Sequence, residues 1–299
     1  ALAYGGNAPP LTAATEEWST TTPIANTWQT GGNMNTGRNF LAGSGTQSAA
    51  LAFGGSPGVN LTEKYNGSTW TEVNNLNTAR ERLAGCGTQT ATLAFGGNPP
   101  ELAVTENWNG TNWTEVNDLN SARYSLEGAG TNTAALAFGG TPPGELAITE
   151  TWNGTNWTEV NDMNTGRLDF GGFGATNTAA LAAGGETPSI TVNTETWNGT
   201  NWTEVNNLNT ARKRMSGVGT TTAGLIFGGD PPGTAQQTEL WNGTNWTETG
   251  DLSVKKEKSA GSGTQAAALS AGAGVPSPVS ASTEEWNTSA TVTKTISTS

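Results

Sequence analysis

Short apolar segments alternate with polar turn residues along the whole chain, and the same order of segments recurs at a nearly constant spacing. A segment resembling Leu-Ala-Phe ends in Gly-Gly, and a Thr-Glu-x-Trp or Thr-Glu-x-Tyr segment follows it in each repeat. Side chains that alternate with a period of two residues predict β-strands rather than helices. The leucines of the first segment are 42–49 residues apart, at Leu2, Leu51, Leu93, Leu136, Leu181, Leu225 and Leu269.

One repeat, residues 124–160, divides into four short predicted strands with no helical period between them. Residues 141–144, Thr-Pro-Pro-Gly, form a loop that no helix or central strand would tolerate. Asn153-Gly154 predicts a tight hairpin between the third and fourth strands, because both residues accept the positive φ of a type I′ turn. The predicted strands are Tyr124–Gly130, Thr133–Phe138, Ile148–Trp152 and Trp157–Val160.

Four-stranded units repeated at this spacing predict an all-β fold, a β-propeller with one blade per repeat. The second and third strands are found seven times, so we predict seven four-stranded antiparallel blades in a single domain, residues 1–299. The innermost strand is found only six times, and we expect residues 291–297 either to complete the last blade or to fill the first. The predicted blades are residues 1–37, 38–79, 80–122, 123–166, 167–211, 212–255 and 256–299.

The repeated aromatic residues are predicted to be the core of the blades. Trp152 and Trp157 fall on the same face of their hairpin and are close enough to touch. Exposed platforms for sugar stacking are the alternative. The predicted structural aromatics are Trp18, Tyr65, Trp108, Trp113, Trp152, Trp157, Trp197, Trp202, Trp241, Trp246 and Trp286.

These features together resemble the kelch repeat: Gly-Gly after an apolar strand, paired aromatics on the next hairpin, and an arginine before the following blade. The aromatics are five residues apart, closer than in kelch repeats, and Thr-Ala-Arg replaces Pro-Arg. The Asn/Thr/Gly-rich sequence, with segments such as "ALAFGG" and "TETWNGTNWTEV", looks most like the sequences of kelch-like repeat proteins of marine bacteriophages. That resemblance implies a structural or appendage protein of a virion.

Charge and composition narrow the classes of partner and chemistry. The net charge of −12 would repel a phosphate backbone, so we predict no nucleic-acid partner. No apolar run is long enough to cross a bilayer, so we predict no membrane insertion. The chain has no histidine and one cysteine, which removes the commonest ligands of transition metals. We therefore expect no metal site and no cofactor.

A basic residue precedes the innermost strand of each complete repeat, which places one near the channel mouth in every blade. The resemblance to kelch adaptor proteins implies a ring that binds an anionic peptide, extended by Arg82 and Arg214. Alternatively, each cation pairs with a carboxylate or carbonyl of an adjoining blade, which is favoured because every blade repeats it. The ring comprises Arg38, Arg80, Arg123, Arg167, Arg212 and Lys256.

Glutamates repeat two residues before the third-strand aromatic and again after the fourth-strand tryptophan. Paired carboxylates suit glycoside hydrolysis, but an active site is one asymmetric cluster, whereas these are spread evenly over the blades. We favour structural hydrogen bonding and predict that the protein is not an enzyme. The first set is Glu16, Glu63, Glu106, Glu150, Glu195, Glu239 and Glu284, and the second is Glu72, Glu115, Glu159, Glu204 and Glu248.

The predicted function is that of a structural, decoration or tail-appendage protein of a virion, located on the virion or otherwise extracellular. Variable loops on one rim would contact other virion proteins, copies of the same chain or a host surface. A glycan-binding adhesin that holds host-surface glycans is the alternative, and a hydrolase or lyase on the rim is a third. The predicted rim loops are Asn7–Leu11, Ser56–Asn60, Asn98–Leu102, Thr141–Leu146, Glu186–Val192, Asp230–Gln236 and Val275–Ser280.

Overall fold

The computed structural model describes residues 2–3, 16–17, 24–231, 233, 235–274 and 279–290, and its regular elements are all β-strands. In chain order the strands are β1 (Leu2–Ala3), β2 (Glu16–Glu17), β3 (Ile24–Thr30), β4 (Ala42–Thr46), β5 (Ala49–Phe53), β6 (Thr62–Tyr65), β7 (Trp70–Val73), β8 (Ala84–Thr88), β9 (Ala91–Phe95), β10 (Thr105–Trp108), β11 (Trp113–Val116), β12 (Glu127–Thr131), β13 (Ala134–Phe138), β14 (Thr149–Trp152), β15 (Trp157–Val160), β16 (Gly171–Thr176), β17 (Ala179–Ala183), β18 (Thr194–Trp197), β19 (Trp202–Val205), β20 (Ser216–Thr220), β21 (Ala223–Phe227), β22 (Thr238–Trp241), β23 (Trp246–Glu248), β24 (Ala260–Gly263), β25 (Ala267–Ala273) and β26 (Ser280–Ala290).

The strands form a β-propeller of six four-stranded antiparallel blades. Blades 1 to 5 take four consecutive strands each, starting with β4–β7 and ending with β20–β23. Blade 6 has the order β24-β25-β26-β3. The innermost strands of neighbouring blades contact each other around the central channel. The prediction of a β-propeller of four-stranded blades is confirmed, but the prediction of seven blades is wrong.

The seventh blade is missing because β3 closes the ring as the outermost strand of blade 6. Trp286 of β26 lies directly opposite Trp28 of β3, as Trp108 lies opposite Trp113 within blade 2. Two sequence signals indicate this exchange. Trp18 and Trp28 are ten residues apart instead of five, and Asn287-Thr288 replaces the Asn-Gly turn that joins these strands elsewhere. The number of innermost strands, six, therefore gives the number of blades.

The second and third strands of the opening repeat form a separate two-stranded sheet, β1 and β2. Leu2 pairs with Glu17, the register in which Leu269 pairs with Glu285 in blade 6. This pair has neither an inner nor an outer strand of its own among the described residues. Trp18 and residues 291–297 lie outside the described residues, and β3 holds the position that residues 291–297 were expected to take in the last blade.

Neighbouring blades approach closely because glycines in the inner strands leave room for aromatic side chains. A Cβ added at Gly85 would lie 2.5 Å from Cζ of Phe53, the last residue of β5 in the preceding blade. Blade 4 departs from this pattern, because Ala183 replaces the phenylalanine of β17. Phe173 of β16 fills the space instead, and a Cβ added at Gly217 would lie 2.7 Å from its Cδ1.

Candidate functional site

The six predicted ring cations lie inside the blades, at 0–1% exposure. Five of them form an ion pair with the glutamate of the third strand in their own blade. In blade 5, for example, Arg212 Nη2 lies 2.8 Å from Glu239 Oε1. This arrangement leaves none of the six charges open to an anionic ligand. The pairs are Arg38–Glu63, Arg80–Glu106, Arg123–Glu150, Arg167–Glu195 and Arg212–Glu239.

An asparagine three residues before each arginine completes this unit, and sequence analysis missed it. The backbone N–H of Asn209 donates to Glu239 Oε2 at 2.9 Å, and its side-chain amide donates to the same oxygen at 2.8 Å. Burial lowers the pKa of Arg212, and the charge of Glu239 offsets part of that effect. The Asn-x-x-Arg spacing was the available signal, at Asn35, Asn77, Asn120, Asn164 and Asn209.

Blade 6 has a weaker version of the unit at the closure of the ring. Lys256 Nζ donates to the carbonyls of Ser270 at 3.1 Å and Ser282 at 2.8 Å. The carboxylate of Glu284 accepts the N–H of Ser253 at 2.7 Å. Burial lowers the pKa of Lys256 to about 8, and Glu284 offsets the shift only in part.

One end of the propeller, here called the loop face, carries the loops between the second and third strands and the linkers that enter each blade. Each linker is hydrogen-bonded to a loop. For example, the N–H of Asn98 donates to the carbonyl of Glu81 at 3.0 Å, and the N–H of Glu81 donates to the carbonyl of Asn98 at 2.9 Å. The rim loops predicted from sequence are therefore next to the channel mouth. Asn7–Leu11 lies outside the described residues, as do parts of the last two predicted loops.

A closed ring of backbone hydrogen bonds surrounds the channel on the loop face. One residue per blade donates its N–H to the carbonyl of the corresponding residue in the preceding blade, at 2.5–3.3 Å. All six have φ between 47° and 58°, a left-handed conformation that is rare for residues other than glycine. These residues, here called the mouth ring, are Phe40, Arg82, Ser125, Asp169, Arg214 and Lys258.

The mouth ring combines a constant backbone with side chains that differ from blade to blade. Strained left-handed residues persist where the surrounding structure fixes them, and here the hydrogen-bond ring does so in every blade. The side chains are aromatic, acidic, basic or hydroxylic. Sequence analysis noted Arg82 and Arg214 as neighbours of the basic ring but missed the others. The signal was a fixed position, two residues after each ring cation, at which five different residue types occur in six blades.

Opposite charges from several blades meet in the mouth ring. Asp169 is 2% exposed, with Lys258 Nζ 3.5 Å from its Oδ1 and Arg214 Nε 3.3 Å from its Oδ2. Arg82 Nη1 lies 3.9 Å from Oδ2 of the same carboxylate and stacks on Phe40, 4.0 Å from the ring centroid. Burial raises the pKa of Asp169, but the cations, Lys258 above all, outweigh it and hold that pKa below its usual value.

Below the mouth ring, Glu127 projects from the inner strand β12 into a central cavity of about 170 Å³. Protein surrounds this carboxyl, although the Glu127 side chain is 24% exposed. Burial raises the pKa of Glu127 to about 8, and the ammonium of Lys258, 3.9 Å away, counteracts this only in part. No other blade has a carboxylate at this position, so the channel is chemically asymmetric.

The described residues bring together no set of side chains typical of a metal centre. No three Asp, Glu or Cys side chains among them converge so as to hold a metal ion. The carboxylates of the second glutamate set are exposed on the outer strands, each opposite a buried glutamate of the first set that is occupied by its ion pair.

The aromatics predicted to be structural are buried wherever the structure describes them. Trp152 and Trp157 have ring centroids 5.4 Å apart, and corresponding pairs recur in the other blades. Every tryptophan with a described side chain is at most 8% exposed. No described tryptophan thus forms an exposed platform for sugars.

Comparisons with known proteins identify no family for this chain, so its fold is assigned from the geometry described above. No protein-family model matches the chain, and no curated protein is significantly similar to it. Among the described residues, no helix has the length and apolar character needed to cross a membrane. The chain is accordingly placed in the class of six-bladed β-propellers.

Proposed function

We propose that this propeller is a non-enzymatic binding scaffold that uses its loop face to contact another macromolecule. One observation supports this most strongly: six equivalent backbone positions around the channel mouth carry five different residue types, with only arginine occurring twice. A position needed only for folding keeps one residue type, as the buried arginines do in five blades. Variation on a rigid frame is typical of a recognition surface.

The loops around the mouth ring extend this surface and also vary. Residues 139–148 and 184–193 form loops two residues longer than residues 54–61, and all three differ in sequence, whereas the strands that they join are nearly identical. The kelch-like repeat sequence and its resemblance to marine-phage proteins support the more specific proposal of an extracellular virion structural or appendage protein. Its partner on the loop face would then be another virion protein or a host-surface component.

The test uses fluorescently labelled protein with intact host cells and with purified particles of the phage that encodes it. We expect saturable binding to one of the two. A Phe40→Ser/Arg82→Ser variant, which changes the mouth ring, is expected to lose that binding while unfolding near the wild-type temperature. Thr90→Ser/Thr133→Ser, at the opposite end of the propeller, serves as the control. Absence of saturable binding to both targets, or equal binding by all three proteins, would refute the proposal.

A further inference from the structure

The end of the propeller opposite the loop face carries no charged residue in its turns, although the chain has a net charge of −12. This end, here called the turn face, consists of the turns between the first and second strands and the hairpins between the third and fourth. It contains only Thr, Asn, Gln, Ser, Gly and Ala, at residues 47–48, 66–69, 89–90, 109–112, 132–133, 153–156, 177–178, 198–201, 221–222, 242–245 and 264–266.

The charges of the described chain are concentrated elsewhere. The outer strands form an acidic belt in which Glu115 and Glu159 are exposed, and the loop face carries carboxylates such as Glu101, Glu145 and Glu186. Two copies that approach each other by the belt therefore bring like charges together, which costs several kcal/mol at a contact. Among the described residues, the turns of the turn face carry no charge, so two such acidic molecules meet there without that repulsion.

The side chains of the turn face are already ordered before any partner binds. Asn109 Oδ1 accepts the N–H groups of Thr111 and Asn112 at 3.0 Å and 2.9 Å, and the later hairpins repeat these bonds. Thr131 and Thr133 hydroxyls lie 3.3 Å apart in the adjacent turn. Short side chains held in this way lose little entropy when a contact forms, whereas ordering a lysine or glutamate costs more.

We propose that the turn face is a contact surface for a second copy of this chain, packed face to face. Hydroxyl and amide groups both donate and accept hydrogen bonds, so such a surface is complementary to itself, as a two-fold contact requires. A charged surface of one sign is not. The two loop faces would then point in opposite directions, which gives a bivalent particle. This inference concerns a surface distinct from the proposed recognition face and does not depend on the identity of the partner there.

The closure of blade 6 restricts where the contact lies. The ladder between β26 and β3 continues past the Trp286–Trp28 pair to Ala290 and Ile24, so it projects from the turn face at this blade. The part of the face farthest from blade 6 is over blades 2 to 4. Thr90 and Thr133, in the turns of blades 2 and 3, are exposed there and suit substitution.

The experiment is sedimentation equilibrium of the full chain over about 1–100 μM, a range suited to micromolar dissociation constants. We expect a reversible dimer whose dissociation constant rises at least about tenfold in Thr90→Glu/Thr133→Glu, because like charges then face each other. Ala79→Glu/Ala122→Glu adds the same charge at exposed linker positions of the same two blades on the loop face, and is expected to dimerise like the wild type.

Three results would overturn the proposal. The first is a wild-type monomer throughout the range, and the second is equal weakening by both variants, which would trace dimerisation to net charge alone. The third is a monomer retained on an immobilised neutral polysaccharide and released by Thr90→Glu/Thr133→Glu, which would assign the face to a glycan. Since dimerisation is measured without a loop-face partner, its failure leaves the test of the proposed function independent.

Discussion

Replacing Glu239 by glutamine tests whether the repeated Asn–Glu–Arg unit holds each blade to its linker. The carboxylate accepts two bonds from Asn209 and lies 2.8 Å from Arg212, which is 0% exposed. Glutamine keeps the shape of the side chain but leaves the guanidinium charge uncompensated inside the protein. Breaking a buried ion pair from one side costs about 3–5 kcal/mol. At about 2 °C per kcal/mol for a chain of this size, the melting temperature should fall by roughly 6–10 °C.

Glu248→Gln is the matched control, because Glu248 pairs directly with Glu239 across the two strands but is exposed. An exposed substitution of this kind should change stability by no more than about 0.5 kcal/mol. Equilibrium denaturation by urea, read by tryptophan fluorescence, gives the free energies of unfolding. A second variant, Arg212→Met/Glu239→Leu, removes both charges and should recover most of the loss. If Glu239→Gln and Glu248→Gln have the same effect, the pairs do not stabilise the blades as argued.

Three further predictions concern the closure, the channel and blade 4. The pKa of Lys256 is about 8 in the folded state and about 10.4 in the unfolded state, so the unfolded state binds more protons between these pH values. The stability of the wild type relative to Lys256→Met should therefore rise by about 1–3 kcal/mol from pH 8 to pH 10 in denaturation curves. A constant difference between the two proteins would contradict this. The pKa of Glu127 is raised to about 8 in the folded state, so the folded state binds more protons than the unfolded state from pH 5 to pH 8. The stability of the wild type relative to Glu127→Gln should therefore fall by roughly 1–3 kcal/mol over this range. Parallel pH profiles of the two proteins would count against a buried carboxyl. Phe173→Ala should cost about 3–5 kcal/mol through the cavity it leaves, and Ala183→Phe should also destabilise by overpacking. The double variant restores the pattern of blades 1, 2, 3 and 5 and should lose less than the sum of the two single variants. Additive losses would show that the two side chains do not share one space.

The sequence repeat predicted the structure of a blade well because the strands and the hairpins within a blade both depend on local sequence. Strand alternation, the Asn-Gly hairpins and the paired tryptophans are set within one repeat, so 124–160 was enough to define four strands. The number of blades depends instead on which distant strands pair. Counting Leu2 and its equivalents gave seven, whereas β3 pairs with β26 across nearly the entire chain and makes the ring close at six.

The site was harder to predict than the fold because repetition draws attention to structural residues. Arg80 and its equivalents stood out by recurring, yet recurrence reflected an ion pair buried in each of five blades. The mouth ring was overlooked since Phe40, Ser125 and Asp169 share no chemistry. Their common property is a left-handed backbone and a hydrogen bond to the preceding blade, and neither is visible in residue type.

The closure of blade 6 by β3 makes the size of the ring independent of the sequence of any one blade. Both halves of that blade would still meet if a complete repeat were duplicated or deleted between them, because β3 and β26 lie outside the inserted unit. Loss or gain of about one repeat in the gene would therefore leave both closing strands in place. In such an architecture a single genetic step would change the number of mouth positions without removing the strands that close the ring.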